Sequence, residues 1–292
     1  MAAAQPQVGA NSCQGEDACI GLSAHVGDNS CNGFRACFNN SGNAGNGSCD
    51  GDEACASNSA SVGDGSCLSD VACQSNAGRV GNRSCTANGT CIQNSASVGD
   101  GSCTAVVDLF IPNSTCLKNT APVGDGSCNA VRACEENTAT VGDHSCNGFY
   151  ACRLNRGTVG DGSCNGKGFQ VFDYSCWQNI GRVGKGSCND GGACSFNSGE
   201  VGDGSCNANG ACIFNSGAVG DRSCSGFIGC AGNTGSIGNK SCNDESACAG
   251  NSGIVRNKSC NGFEACFSNS GTIANKQCNG VQACKGNTAN IP

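Results

Sequence analysis

Val8, Val26, Ala44, Val62, Val80 and Val98 follow one another at intervals of eighteen residues, each with a glycine after it and a polar stretch beyond. After a longer interval the series resumes at Val123, Val141 and Val159, and after another at Val183, Val201, Val219, Ile237, Val255 and Ile273. The chain is one unit written fifteen times, V-G-D-G-S-C-N-G-x-x-A-C-x-x-N-S-G-x, as in Val201 to Ala218. A period this short, sustained from Val8 to Asn290, is the signature of a solenoid, in which each coil stacks on the next. No apolar stripe of period 3.6 is present and glycine recurs every few residues, so the pattern predicts no helix. It predicts an all-β parallel solenoid (β-helix) of about 15 coils of 18 residues, with short strands joined at tight G-D-G and N-G corners.

Some columns of the repeat are nearly invariant from copy to copy. Position two is Gly except at Arg256 and Ala274, position five is Ser except at Gln277, and position fifteen is Asn except at Leu22. Positions nine, ten, thirteen and fourteen vary freely, as Phe34, Glu53, Val71 and Trp177 show. A column that stays fixed marks side chains stacked on copies of themselves. Position fifteen is therefore expected to form an inward asparagine ladder: Asn40, Asn58, Asn76, Asn94, Asn119, Asn137, Asn155, Asn179, Asn197, Asn215, Asn233, Asn251, Asn269 and Asn287. Residues 1–7 read as an N-terminal extension, 8–290 as a single β-solenoid domain with inserts at 104–115 and 165–175, and 291–292 as the start of a further coil.

Composition adds a second requirement. With 47 glycines, five per cent aromatics, one Met and one Trp, the chain has too few large apolar side chains for an ordinary core. Its 30 cysteines supply a covalent substitute, and that density implies an oxidising compartment, extracellular or at a cell surface. No signal peptide is visible in Met1 to Gln7, and no apolar run is long enough to span a membrane. The net charge of −7 argues against nucleic acid or an anionic membrane as the main partner, and basic residues such as Arg83, Lys185 and Lys240 read as scattered.

Eighteen residues divide into three hexads, each with a small residue at its fifth place, which resembles the hexapeptide-type β-helices in coil length. An aliphatic head is present only in the first hexad, and handedness stays open. The C-x5-C spacing resembles that of the insect cysteine-rich β-helical antifreeze proteins, whose short coils are cross-linked through their own interiors. Connectivity does not follow from spacing alone. The resemblance implies the intracoil pairs Cys13 with Cys19, Cys31 with Cys37, Cys49 with Cys55, Cys67 with Cys73, Cys85 with Cys91, Cys103 with Cys116, Cys128 with Cys134 and Cys146 with Cys152. It continues with Cys164 to Cys176, Cys188 to Cys194, Cys206 to Cys212, Cys224 to Cys230, Cys242 to Cys248, Cys260 to Cys266 and Cys278 to Cys284.

Two coils carry extra residues between their cysteines, and these inserts are the most apolar segments of the chain. Leu109, Phe110 and Ile111 in one, with Phe169, Phe172 and Tyr174 in the other, form a candidate contact patch. Seven N-x-[ST] sequons occur, at Asn39, Asn46, Asn82, Asn88, Asn113, Asn239 and Asn257, with Asn113 in the first insert the foremost glycosylation candidate.

The remaining chemistry is sparse. Asp64, Asp100, Asp125, Asp143, Asp161, Asp203 and Asp221 share position three, but Asn alternates with them and Lys185 sits among them, so turn formation explains them better than calcium. C-x5-C is not a zinc spacing, and no Ser, His and Asp combination stands apart from the repeat, so no metal, cofactor or catalytic residue is expected. The expected function is a non-enzymatic structural rod, about 70 Å long at parallel-strand spacing, that self-associates end to end because neither end shows a clear cap. Two alternatives are weighed against it. Ice binding would need an outward threonine ladder, and the position before the aliphatic head reads Asn43, Ser61, Arg79 and Ser97 instead. An adhesin could stack glycans on Phe34, Phe149, Phe227 and Phe263 at position nine, a column interrupted by Glu16, Asp52, Asp70 and Glu245.

Overall fold

In the computed structural model, which describes residues 5–105, 114–166 and 174–292, the chain divides into two compact units, Met1–His144 and Ser145–Pro292. The same coil builds both. In the first unit the aliphatic heads pair in parallel from Val8 with Val26 through to Val123 with Val141. The rung is a pair of backbone bonds: Val26 N–H donates to Gln7 O and Gly27 N–H to Ala44 O, both at 2.9 Å. In the second unit Val159, Val183, Val201 and Val219 pair the same way. There the rungs lengthen into two-residue strands, β1 (Ala218–Val219), β2 (Ser236–Ile237), β3 (Ile254–Val255), β4 (Thr272–Ile273) and β5 (Asn290–Ile291). They form one parallel sheet in the order β1-β2-β3-β4-β5, and each register shift is one repeat, as in Val219 to Ile237 to Val255.

Among the described residues there is no helix. Regular β-structure occupies one part of each coil, the head of the first hexad, and the rest is turn. The cause is visible in the Val62 coil, where Gly65 (φ 62°), Cys67 (54°), Val71 (50°) and Ser75 (57° at the equivalent Ser57 and 55° here) take the left-handed conformation. Each such residue bends the chain sharply and prevents a longer strand. The coil thus closes in eighteen residues while its turns still bond to the coils on either side, as Cys67 N–H does to Ser84 O of the next coil at 3.1 Å and Cys73 N–H to Ala54 O of the preceding one at 2.7 Å.

The interior of each unit is made of small residues. Val62, Val80, Val98, Val201 and Ile273 are at most 4% exposed, and Ala36, Ala54, Ala72, Ala193 and Ala211 are wholly buried. Burying a valine contributes roughly 1.5–3 kcal/mol and an alanine much less, so apolar burial alone leaves the coils weakly held. Fifteen disulfides complete them, each within a single coil, from Cys13–Cys19 to Cys278–Cys284. Thirteen join residues six apart; the two that flank the inserts join residues thirteen and twelve apart, Cys103–Cys116 and Cys164–Cys176. No cysteine is free.

Candidate functional site

Three polar columns accompany the disulfides. At position fifteen the side chains of Asn40 through Asn137 in the first unit and Asn155 through Asn269 in the second are at most 1% exposed. Within each unit, from its second asparagine onward, the amide nitrogen donates to the amide oxygen one coil back, as Asn215 Nδ2 does to Asn197 Oδ1 at 2.7 Å, and to a carbonyl two residues on, here Gly217 O at 3.0 Å. The ladder crosses the first insert without a break, since Asn119 Nδ2 reaches Asn94 Oδ1 at 2.8 Å across twenty-five residues of sequence. The first coil has Leu22 in this place, and Asn40 Nδ2 turns to Gly42 O at 2.6 Å.

At position five, within each unit, serines join successive turns. Ser223 Oγ donates to Gly238 O at 2.8 Å and accepts from Ser241 N–H at 3.1 Å. The hydroxyl is wholly buried, so this satisfies two backbone groups that water cannot reach.

The third column, position three, lies on the surface. Asp100 Oδ1 accepts from Asn82 N–H at 2.8 Å, and Asp125 Oδ1 from Asp100 N–H at 2.8 Å. Asparagine does the same work, as Asn257 Oδ1 accepts from Asn239 N–H at 2.8 Å. The column needs a short side-chain oxygen rather than a charge, which is why Asp and Asn interchange along it. A similar exchange occurs at position seven, where Asp50 Oδ1 accepts from Asn32 N–H at 3.2 Å. Partial burial pushes the Asp50 carboxyl above the usual carboxylate range, against the lowering effect of that hydrogen bond.

Sulfur atoms of neighbouring coils come close together. Those of Cys31, Cys37 and Cys49 lie within 4.8 Å of one another, as do those of Cys194, Cys206 and Cys212. All of them are in disulfides, so they offer no thiolate to a metal.

The sequons separate by geometry. Asn46, Asn82, Asn239 and Asn257 stand in the position-three column, and their partner hydroxyls Ser48, Ser84, Ser241 and Ser259 are wholly buried. Asn88 is exposed, but Thr90 is buried and its Oγ1 donates to Ala87 O at 2.7 Å. Asn39 and Ser41 are both exposed, which makes this the one sequon among the described residues that stays open on both sides after folding. Asn113 lies outside the described residues.

Of the candidate contact patch, Leu109, Phe110, Ile111, Phe169 and Phe172 also lie outside the described residues. Tyr174 lies within them and belongs to a run of six rings in the second unit. Tyr150 is 5.4 Å from Tyr174 between centroids, Tyr174 is 5.2 Å from Trp177, Trp177 is 4.8 Å from Phe196, and Phe196 is 5.0 Å from Phe214, with Phe149 against Tyr150 at 4.8 Å. The rings come from positions nine, ten, thirteen and fourteen. The position-nine phenylalanines do not make a column of their own: Phe34, Phe227 and Phe263 are 37–50% exposed, and none has a ring partner among the described residues.

Nor are all the basic residues scattered. Arg222, Lys240, Lys258 and Lys276 occupy position four of four successive coils in the second unit, all exposed, with Arg256 beside them at position two. The repeat's own spacing of eighteen residues carries this signal in the sequence, and it emerges when the cations are set in register rather than counted along the chain. Ion pairs lie elsewhere, as with Lys185 and Asp161 at 2.8 Å and Lys285 and Glu264 at 2.6 Å. Lys285, with help from Gln282, holds the Glu264 carboxyl below the usual range.

Parallel rungs in a register of one repeat, with a disulfide inside every coil, define a disulfide-stapled parallel β-solenoid. The chain belongs to the family described as Domain of unknown function (DUF7640), whose model matches three times, over residues 11–133, 113–211 and 209–292. No curated protein and no solved structure gives a significant match.

Proposed function

We propose that this chain is a non-enzymatic structural protein, a component of an extracellular filament or cell-surface coat that self-associates end to end. The observation that carries this is where the repeat puts its chemistry. In coil after coil the invariant side chains, the cystine, the asparagine and the serine, are turned inward and bind the coil to itself and its neighbours, as Asn215, Ser205 and Cys206–Cys212 do. The outward positions vary from copy to copy. Selection for stiffness and covalent durability leaves that pattern; a single reaction centre would leave an exception to it.

Within the sheet of the second unit the face one coil offers the next recurs from rung to rung, since β1 meets β2 in the register in which β3 meets β4. One side of such a coil is complementary to the opposite side of any other copy, which is the requirement for head-to-tail growth. The disulfides favour an oxidising environment outside the cytosol. Among the described residues, no helix is long and apolar enough to cross a membrane.

Sedimentation velocity and negative-stain electron microscopy over a concentration series test the proposal. Filaments or a ladder of end-to-end oligomers are expected at high concentration. A monodisperse monomer at every concentration would overturn self-association.

A further inference from the structure

We infer that the basic column Arg222, Lys240, Lys258 and Lys276, with Arg256 at its side, is a binding site for a linear acidic polysaccharide. The backbone fixes the column. Arg222 N–H donates to Asp203 O, Lys240 N–H to Asp221 O, Lys258 N–H to Asn239 O and Lys276 N–H to Asn257 O, at 2.8–3.0 Å. The four residues therefore stand one per coil in register, their backbones at the spacing of parallel strands, about 4.8 Å.

Three features separate this column from ordinary surface charge. First, position four is left-handed, with φ between 54° and 64° at these four residues, and seven other coils fill it with glycine, which adopts that conformation without strain. Long basic side chains in four consecutive coils run against that local preference. Second, in the last three of the four coils the acid at position three has been replaced. Position three reads Asp221, then Asn239, Asn257 and Asn275, and each amide keeps the rung oxygen, as in Asp221 N–H to Asn239 Oδ1 at 2.9 Å, while carrying no charge. Third, among the described residues none of the four cations is in an ion pair. Like charges at this spacing repel one another; a linear polymer of opposite charge neutralises them, and its binding is favoured further by release of the polymer's own condensed counterions.

The protein is acidic overall, so this edge is a local reversal of its field. Three of the four cations are lysines, compact point charges on flexible stems that recognise the charge of a sulfate or carboxylate group rather than a bidentate geometry. The cystines favour an oxidising compartment outside the cytosol, where a polysaccharide is the polyanion we take as occupant, with duplex DNA as an arm of the test. Beside the column runs a shallow groove lined by Asp203, Gly204, Asp221, Arg222, Asn239 and Lys240, where Gly204 presents no side chain to an incoming chain.

The test is calorimetric titration of the full chain with dextran sulfate, with polygalacturonate, with neutral dextran and with duplex DNA, at low and at high salt. The variants are Lys240→Gln/Lys258→Gln/Lys276→Gln and, as a control in the first unit, Lys118→Gln. Binding to one or both acidic polysaccharides is expected, and which of the two binds identifies sulfate or carboxylate as the recognised group. Neutral dextran should not bind. The triple variant should lose about 10-fold or more in affinity, with a shallower salt dependence, while the control matches the parent. Equal affinity in parent and triple variant, no binding to either acidic polysaccharide, or tighter binding to DNA would each overturn the proposal. Sedimentation of the triple variant separates this site from self-association: the end-to-end oligomers should persist in it, and their loss with polysaccharide binding unchanged would assign the column to contacts between copies instead. Circular dichroism of the variants confirms the fold.

Discussion

Asn76 donates its amide hydrogen to Asn58 at 2.8 Å and its oxygen accepts from Asn94 at 2.8 Å, so that each residue is both a link and an anchor in a wholly buried chain of amides. Replacing Asn76 by Ala leaves Asn58 Oδ1 and one hydrogen of Asn94 without a partner in a site water does not reach. The expected cost is about 1–3 kcal/mol. Asn76→Asp removes the donor and adds a buried charge, so it should be worse than alanine at neutral pH and recover in acid, where the carboxyl is protonated and donates again. Thermal melts followed by circular dichroism at neutral and acidic pH check both, and an Asp variant indifferent to pH would refute the burial of this column.

Serine at position five predicts a comparable effect from a smaller group. Ser223→Ala strips a partner from Gly238 O and from Ser241 N–H. Cooperative melting should shift down by the equivalent of about 1–3 kcal/mol. Ser223→Thr keeps the hydroxyl, and any loss it causes measures the room for one methyl group. Amide hydrogen exchange should quicken at Ser241 in the alanine variant and leave Ser187, two coils away on the other side, unchanged.

Burial changes what reduction should do. In the chain-entropy account each six-residue loop contributes about 2 kcal/mol, so the fifteen cystines together dominate stability. Yet Cys31 through Cys266 are wholly buried, while Cys13, Cys19, Cys278 and Cys284 are partly exposed. Under native conditions a dithiol reductant followed by alkylation should label those four cysteines first, and the interior ones only after denaturant is added. Peptide mapping by mass spectrometry reads the order. Uniform labelling of all thirty without denaturant would show that the coils open far more readily than their packing implies.

Glu264 supplies a pH marker. Its carboxyl accepts from Lys285 Nζ at 2.6 Å and Gln282 Nε2 at 2.7 Å, which favour the ionised form and depress its pKa in the folded state. A depressed acid contributes stability above its unfolded pKa and loses it as pH falls through its folded value. Lys285→Ala should therefore move the Glu264 titration upward toward the ordinary glutamate range, read by carboxyl-selective carbon NMR, and leave melting at neutral pH nearly unchanged because the pair sits at the surface. A titration that does not move would show that Gln282 alone sets it.

Much of the inside of this protein was legible before its outside. Val201, Asn215, Ser205 and the Cys206–Cys212 pair lie in columns that repeat because each side chain packs on its own copies, and repetition is visible in a sequence. The outward positions obey no such constraint. The ring run from Tyr150 to Phe214 passes between positions ten, thirteen and fourteen as it climbs, so no single column reveals it. The basic column was present at regular spacing in Arg222, Lys240, Lys258 and Lys276, yet a net charge of −7 and a count of basic residues along the chain hid it. Strand length was not legible either: residues such as Val71 and Phe196 take positive φ, which their side chains disfavour, because the closed coil imposes it.

The contact between successive coils is one interface used again and again: Val219 meets Ile237 as Ile237 meets Val255. A gene for such a chain can gain or lose a whole repeat by unequal recombination and still encode a stack in which every asparagine and every cystine finds its place. A gain of part of a repeat keeps the columns in register where the extra residues fall between the two cysteines of a coil, as before Cys116 and Cys176; elsewhere it would shift every later column of that coil. Heritable variation in the length of this protein should accordingly come in whole coils or in inserts at that one place, with the outward residues of each new copy free to diverge.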